Sequence, residues 1–314
     1  MAYRTLGRTG IKVSCIGLGG HYDGPNARQK QSAGIWRRRE VVEECLRNGI
    51  TLFNTDYDVE RQSLGEVLKE TKVERDRITL VSDVNDADRT ASETYDTVMA
   101  ETEQHLKYLQ IDCVDILRFT TLSRRTPPER MEAAMRAFDA LKRAGKARHF
   151  AVSQHDPDLL TEWLDKYDNI DIVYTPFNYF ANRAENELIP SAKRKNVGFI
   201  VIKPFNKGTI FNPNLFRSRK GVAGEYTEGR TLESLKRDKG LSLAQANLKY
   251  ILANEGVSVV IPGMETASEV RENVGAVDKA ALGPAEKALL DAVVGRMQEV
   301  LPGRYRWLAD WRRA

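Results

Sequence analysis

Eight apolar, β-branched runs, alternating with amphipathic stretches of helical period, constrain this chain more than any other feature. The runs are Cys15–Leu18, Thr51–Phe53, Ile78–Val81, Val114–Leu117, Lys146–Val152, Ile170–Tyr174, Val197–Ile202 and Val257–Ile261. Helical patterns fall near Arg37–Arg47, Ser63–Lys72, Ser92–Tyr108, Pro128–Arg143, Pro157–Lys166, Asn186–Lys195 and Ser242–Asn254. Strand–helix alternation points to a parallel sheet, since each crossover returns the chain to the same end. Eight strands point to closure into a (β/α)8 barrel rather than an open sheet. No linker divides the chain, so residues 1–314 are read as one α/β barrel domain. One segment breaks the rhythm. Residues 204–240 follow the seventh run, are rich in Gly, Asn, Arg and Lys, and lack periodicity. A loop of that length on the C-terminal face is expected to be a lid. The tail, residues 300–314, carries aromatics that are expected to pack either over the barrel or on a second subunit, and their spacing does not decide between the two.

Composition excludes several classes. A net charge of +4, from 48 basic and 44 acidic residues, supplies no nucleic-acid surface. The basic runs Trp36–Arg39 and Trp311–Arg313 are read as solvated surface. Three cysteines, Cys15, Cys45 and Cys113, form neither a CxxC pair nor an even set, so a disulfide framework or zinc site is not expected. The start of the chain, MAYRTLGRTG, lacks the apolar core of a secretory signal, and no stretch is apolar enough to span a membrane. A cytoplasmic location is expected.

Short segments in register carry a resemblance. Tyr3–Ser14 has the look of an N-terminal β-hairpin leading into Ile16–Gly20. Gly49–Phe53, Asp112–Asp115, Gly145–Arg148, Ala151–Ser153, Pro176–Tyr179, Lys203–Pro204, Val260–Gly263 and Glu272–Asn273 follow in order. Together they resemble the bacterial aldo-keto reductases. The resemblance implies a barrel that binds a nicotinamide dinucleotide and reduces carbonyls. In that family a tyrosine donates the proton, a lysine held by an aspartate lowers its pKa, and a histidine orients the substrate. Here all four positions are substituted. The aspartate falls on Asn54, the tyrosine on Val59, the lysine on Asp83 and the histidine on Thr120.

The replacements are polar. Asp56, Asp58 and Asp83 ring the expected mouth. Strand periodicity turns Arg118 to the same side as Thr120, one layer deeper and beside Asp83. Asp83 and Arg118 either neutralise each other or provide a general acid or base. Three carboxylates also suit an oxygen-ligated metal ion, but Asp-x-Asp is commonplace and no histidine is placed to help, so no metal site is assigned. Tyr57, near the tyrosine position, and His21, beyond the first glycine run with Tyr22 and Asp23, are the other candidate replacements. His105 is read as a surface residue of its helix, His149 as a partnered strand residue, and His155 as part of the loop opening the next helix.

By the resemblance, Ser153, Gln154 and Tyr174 meet the nicotinamide. Ile202 packs on its face, and Lys203 and Phe205 lie by the pyrophosphate. Gly263 and Met264 run along the adenosine ribose, and Asn273 meets the adenine. Helix capping and loop hydrogen bonding compete as roles for Ser153 and Asn273. The arginine that grips a 2′-phosphate falls on Glu269, whose charge favours NAD(H) over NADP(H), if a dinucleotide binds at all. Three functions remain open. The first is an oxidoreductase acting on a polar, sugar-like carbonyl or alcohol through a non-standard site. The second is a barrel surviving as a binding or regulatory protein, and the third is a non-redox isomerase or lyase. In each the partner is a small molecule.

Overall fold

The computed structural model describes residues 1–20, 34–85, 90–120, 123–211 and 242–277, with scattered positions from 282 to 291. The N-terminal hairpin pairs β1 (Tyr3–Thr5) with β2 (Lys12–Ser14). Seven parallel strands follow in sequence order: β3 (Leu52–Thr55), β4 (Thr79–Asn85), β5 (Val114–Thr120), β6 (Ala147–Ser153), β7 (Ile172–Pro176), β8 (Gly198–Ile202) and β9 (Val259–Val260). The eighth position belongs to residues 15–19. Gly17 N–H donates to Val260 O (2.9 Å), Leu18 N–H to Leu52 O (2.8 Å), and Asn54 N–H to Leu18 O (2.9 Å). These bonds join the first and last strands and close the barrel. The run Cys15–Leu18 therefore occupies the first stave, as its apolar pattern implies, though it forms only isolated bridges.

The helices are α1 (Gly34–Arg47), α2 (Asp58–Thr71), α3 (Ala91–Leu109), α4 (Pro128–Arg143), α5 (Pro157–Lys166), α6 (Leu188–Arg194), α7 (Leu243–Ala253) and α8 (Ala267–Val274). Their starts are written in local chemistry. Thr90 Oγ1 accepts from Glu93 N–H while Glu93 Oε2 accepts from Thr90 N–H, the reciprocal cap that opens α3. Asp156 caps α5, with Pro157 in the first turn where no N–H is needed.

Two differences from the sequence reading bear on function. Helix α2 begins at Asp58 rather than near Ser63, because Glu60 Oε2 accepts from the N–H groups of Asp56 (2.9 Å) and Tyr57 (3.3 Å) and fixes the first turn. Helix α8 stands in a stretch to which the sequence pattern assigned no helix. In the segment read as a lid, residues 206–211 form a 3-10 turn that buries Ile210. Residues 212–240 of that segment, the tail from 300 and His21 with Tyr22 and Asp23 lie outside the described residues.

Inward-facing side chains stack in layers, as period-two strands require. Leu52, Val81, Ile116, Ala151, Ile172, Ile200 and Val259 form an apolar interior, which the hairpin residues Leu6 and Val13 plug from below. Gly7 permits that plug. Its φ is +52°, and a Cβ there would lie 2.3 Å from Gly198 N. One step up each strand, the layer becomes Asn54, Asp83, Arg118, Ser153, Tyr174 and Ile202. The barrel thus places its polar residues at the C-terminal mouth.

Candidate active site

Arg118 organises the mouth. From β5 its Nε donates to Asp83 Oδ1 on β4 (3.1 Å), and its Nη2 donates to Asp56 Oδ1 in the loop after β3. The guanidinium lies 5.0 Å from the ring centroid of Tyr174 on β7, a cation–π distance. Asn54 Nδ2 donates to Asp56 Oδ1 at 3.0 Å. The expected Asp83–Arg118 pair is present, and Asp56 makes it a three-membered clasp. It is deeply buried, with Asp83 and Arg118 only 7% and 5% exposed. Gly20 leaves room for it, since a Cβ would fall 2.8 Å from Glu60 Oε2 and 2.9 Å from Asp56 N.

Burial governs the protonation of these groups. It pushes the Asp83 carboxyl up, against the pull of Arg118, and the neighbouring Asp56 charge pushes it further up. Burial alone would lower the Arg118 pKa, but the Asp56 and Asp83 carboxylates outweigh it and raise it above the ordinary value, so the guanidinium keeps its charge. Burial raises the Tyr174 hydroxyl too, opposite to what a tyrosine proton donor needs. Two buried polar atoms here have no partner among the described residues, Asn54 Oδ1 and the Tyr174 hydroxyl. Such atoms are costly to leave unpaired.

The other candidate positions divide. Val59 lies in the first turn of α2 and Tyr57 is its N-cap, both half-buried. Thr120 Oγ1 donates to Val84 O at 3.3 Å. Asp58 turns from the mouth toward Arg61 and His105, and no described group of three or more His, Cys, Asp or Glu side chains is arranged for a metal. His105, read as a surface residue, is buried on α3, with Nδ1 2.9 Å from Ser82 Oγ. Burial pushes its pKa down to about 3, with a smaller contribution from the Arg61 charge. His149 faces Asp171 at 3.5 Å. His155 lies in the loop before α5, and its Nε2 stands 2.6 Å from Lys203 Nζ, a contact the sequence reading missed.

Among the positions assigned to a dinucleotide, Ser153 and Ile202 are half-buried at the rim. Lys203 follows β8 directly, at φ +50°, with Phe205 two residues on and half-buried. Gln154 Oε1 accepts from the N–H groups of His155 (2.5 Å) and Asp156 (3.3 Å), a loop-bracing role. Tyr174 is sunk in the barrel. Gly263 is exposed, Met264 packs in the core, and Asn273 is buried on α8. Glu269 caps α8, its Oε2 accepting from the N–H groups of Glu265 (2.6 Å) and Thr266 (3.1 Å).

Residues 16–294 match the profile of the aldo/keto reductase family. The chain belongs to this family. L-Galactose dehydrogenase of Arabidopsis thaliana is 27% identical over 87% of each chain. A probable voltage-gated potassium channel subunit beta of the same plant is 24% identical over 88% of this chain and 92% of its own length. Among solved structures, the aldo-keto reductase AKR11C1 from Bacillus halodurans in its holo form superimposes with a TM-score of 0.70. It is 24% identical, and the match covers 93% of this chain and 96% of that one. The fold of this aldo/keto reductase family member is thus the family barrel, and its relatives include oxidoreductases.

Proposed function

We propose that this chain is a nicotinamide-linked oxidoreductase acting on a polar, hydroxylated substrate, with Asp83 in place of the family's tyrosine as the proton carrier. The observation that carries the reading is the Asp83 carboxyl itself. It is buried at the mouth, aimed by Arg118, and shifted toward neutrality by burial. A carboxyl so placed takes a proton from a substrate hydroxyl during oxidation and returns it during reduction. Arg118 stays charged and holds the carboxyl in one orientation. The polar lining of Asn54, Asp56, Asp83 and Thr120 suits a sugar-like substrate, and the open hydrogen-bonding capacity of Asn54 Oδ1 suits a hydroxyl donor.

The residues also fit a dinucleotide. Ser153 and the buried Asn273 make no side-chain hydrogen bond within the described structure, so both can serve a ligand. Among the described residues a Cβ at Gly263 would meet only Gly20 O, at 4.0 Å, which suits close approach of a ligand to the backbone there. Lys203 brings a cation to the rim. When bound, the nicotinamide supplies or accepts the hydride. Glu269, fixed at the start of α8, disfavours a 2′-phosphate, so NAD(H) is preferred to NADP(H). The protein is read as one domain working in a reducing cytoplasm, which accords with its three free cysteines.

The test is a screen of sugars and polyols with NAD+, following nicotinamide absorbance, repeated with Asp83→Asn. Turnover lost in the variant supports the reading, and turnover that survives overturns it. Substitution of all four catalytic positions, together with kinship to a channel subunit, favours one second reading, a dinucleotide-binding regulatory protein. Its signature would be dinucleotide binding with no turnover of any substrate.

A further inference from the structure

We infer that Arg61, on the first turns of α2, is a positioning residue that holds the two carboxylates of the mouth against Arg118. Arg61 is buried, and its guanidinium reaches both carboxylate-bearing segments from behind. Its Nη2 donates to Asp83 O (2.6 Å) and Asp56 O (3.3 Å), and its Nε donates to Ser82 Oγ (3.1 Å). Its Nη1 donates to Asp58 Oδ1 at 2.9 Å. One rigid fork thus ties the loop after β3 to the end of β4. Asp56 and Asp83 meet Arg118 only when those segments keep their spacing.

The fork is itself braced. Arg61 Nε–H can only donate, so Ser82 Oγ accepts from it. We assign the Ser82 hydroxyl hydrogen to His105 Nδ1, 2.9 Å away. His105 is neutral because burial pushes its pKa down to about 3. Its one ring proton therefore sits on Nε2, which faces Asp58 Oδ1 at 3.8 Å. Asp58, Arg61, Ser82 and His105 form a chain of directed contacts behind the pocket, linked in that order, and none of the four was a family catalytic position. A lysine in place of Arg61 keeps the charge but cannot reach two carbonyls, a hydroxyl and a carboxylate together.

The importance of the clasp to turnover rests on the proposed function, but the positioning role is read without turnover. The experiment is NMR on the full chain, unligated. The carboxyl-carbon titration of Asp83 and the 15N signals of the His105 ring are followed in wild type, Arg61→Met, Arg61→Lys and Ser82→Ala. Among the described residues, Arg118, Asp56 and Arg61 are the charged groups that act on the Asp83 titration. The wild type should show an unprotonated Nδ1 and a protonated Nε2 on His105. Arg61→Met should shift the Asp83 midpoint upward and mix the His105 tautomers. Arg61→Lys should leave the Asp83 midpoint displaced, because charge alone does not restore the geometry. Ser82→Ala, which leaves every Arg61–carbonyl contact in place, should change the His105 signals and move Asp83 less. Full restoration by lysine, or an Asp83 titration indifferent to all three substitutions, would overturn the inference. Neither result depends on whether a dinucleotide binds.

Discussion

Replacing Arg118 with methionine removes the cation that pairs with both Asp56 and Asp83 while keeping most of the side-chain volume. Both carboxylates are then left in a site where Asp83 is 7% exposed. Removing one partner of a buried pair costs about 3–5 kcal/mol, and loss of the contact with Tyr174 adds roughly 0.5–2 kcal/mol. In a chain of this length each kcal/mol lowers Tm by about 2 °C, so a fall of about 7–14 °C is expected at neutral pH. The pH dependence gives the sharper check. The Asp83 pKa in the folded protein is raised above its unfolded value, and loss of Arg118 raises it further. A carboxyl with a raised folded pKa favours folding below its unfolded value and loses that contribution as pH rises through the folded one. The deficit of Arg118→Met relative to wild type should therefore be smallest in acid and grow toward neutral pH. Urea denaturation across that range measures it. A variant within about 1 kcal/mol of wild type at neutral pH, or one most impaired in acid, would refute the reasoning.

Three further outcomes follow. Oxidative turnover should rise with pH as Asp83 ionises and reductive turnover should fall, with an apparent pKa above the ordinary carboxylate range, checked by pH–rate profiles in both directions. Glu269→Gln should tighten NADPH binding by about 2–5-fold, as expected for one exposed charge, with little effect on NADH, read by calorimetry. Gly7→Ala should cost at least about 1–3 kcal/mol in denaturant titrations, because its positive φ and the 2.3 Å approach to Gly198 N both oppose a side chain.

The barrel was legible because parallel strands buried on both faces read as continuous apolar runs, and seven of the eight coincide with strands. The eighth, Cys15–Leu18, is apolar enough to be found but bridges its neighbours one residue at a time. The Asp83–Arg118 contact followed from strand periodicity alone. Asp56 as the third member did not, since its place depends on Glu60 reaching back to cap α2. The same early helix start concealed Arg61. His105 was misjudged because helical period does not say which polar residue finds a buried partner. Helix α8 was missed although Thr266 and Glu269 spell a capping box, a signal that could have found it. The dinucleotide positions came from resemblance, and two of them, Gln154 and Tyr174, have structural roles that composition does not encode.

Calorimetric titration of the purified chain with NADH, and separately with NADPH, tests the central claim most directly. Micromolar binding of NADH with weaker binding of NADPH is the predicted result, with an affinity for NADH retained in Asp83→Asn. Failure to bind either dinucleotide would contradict the claim and leave the barrel to non-redox chemistry.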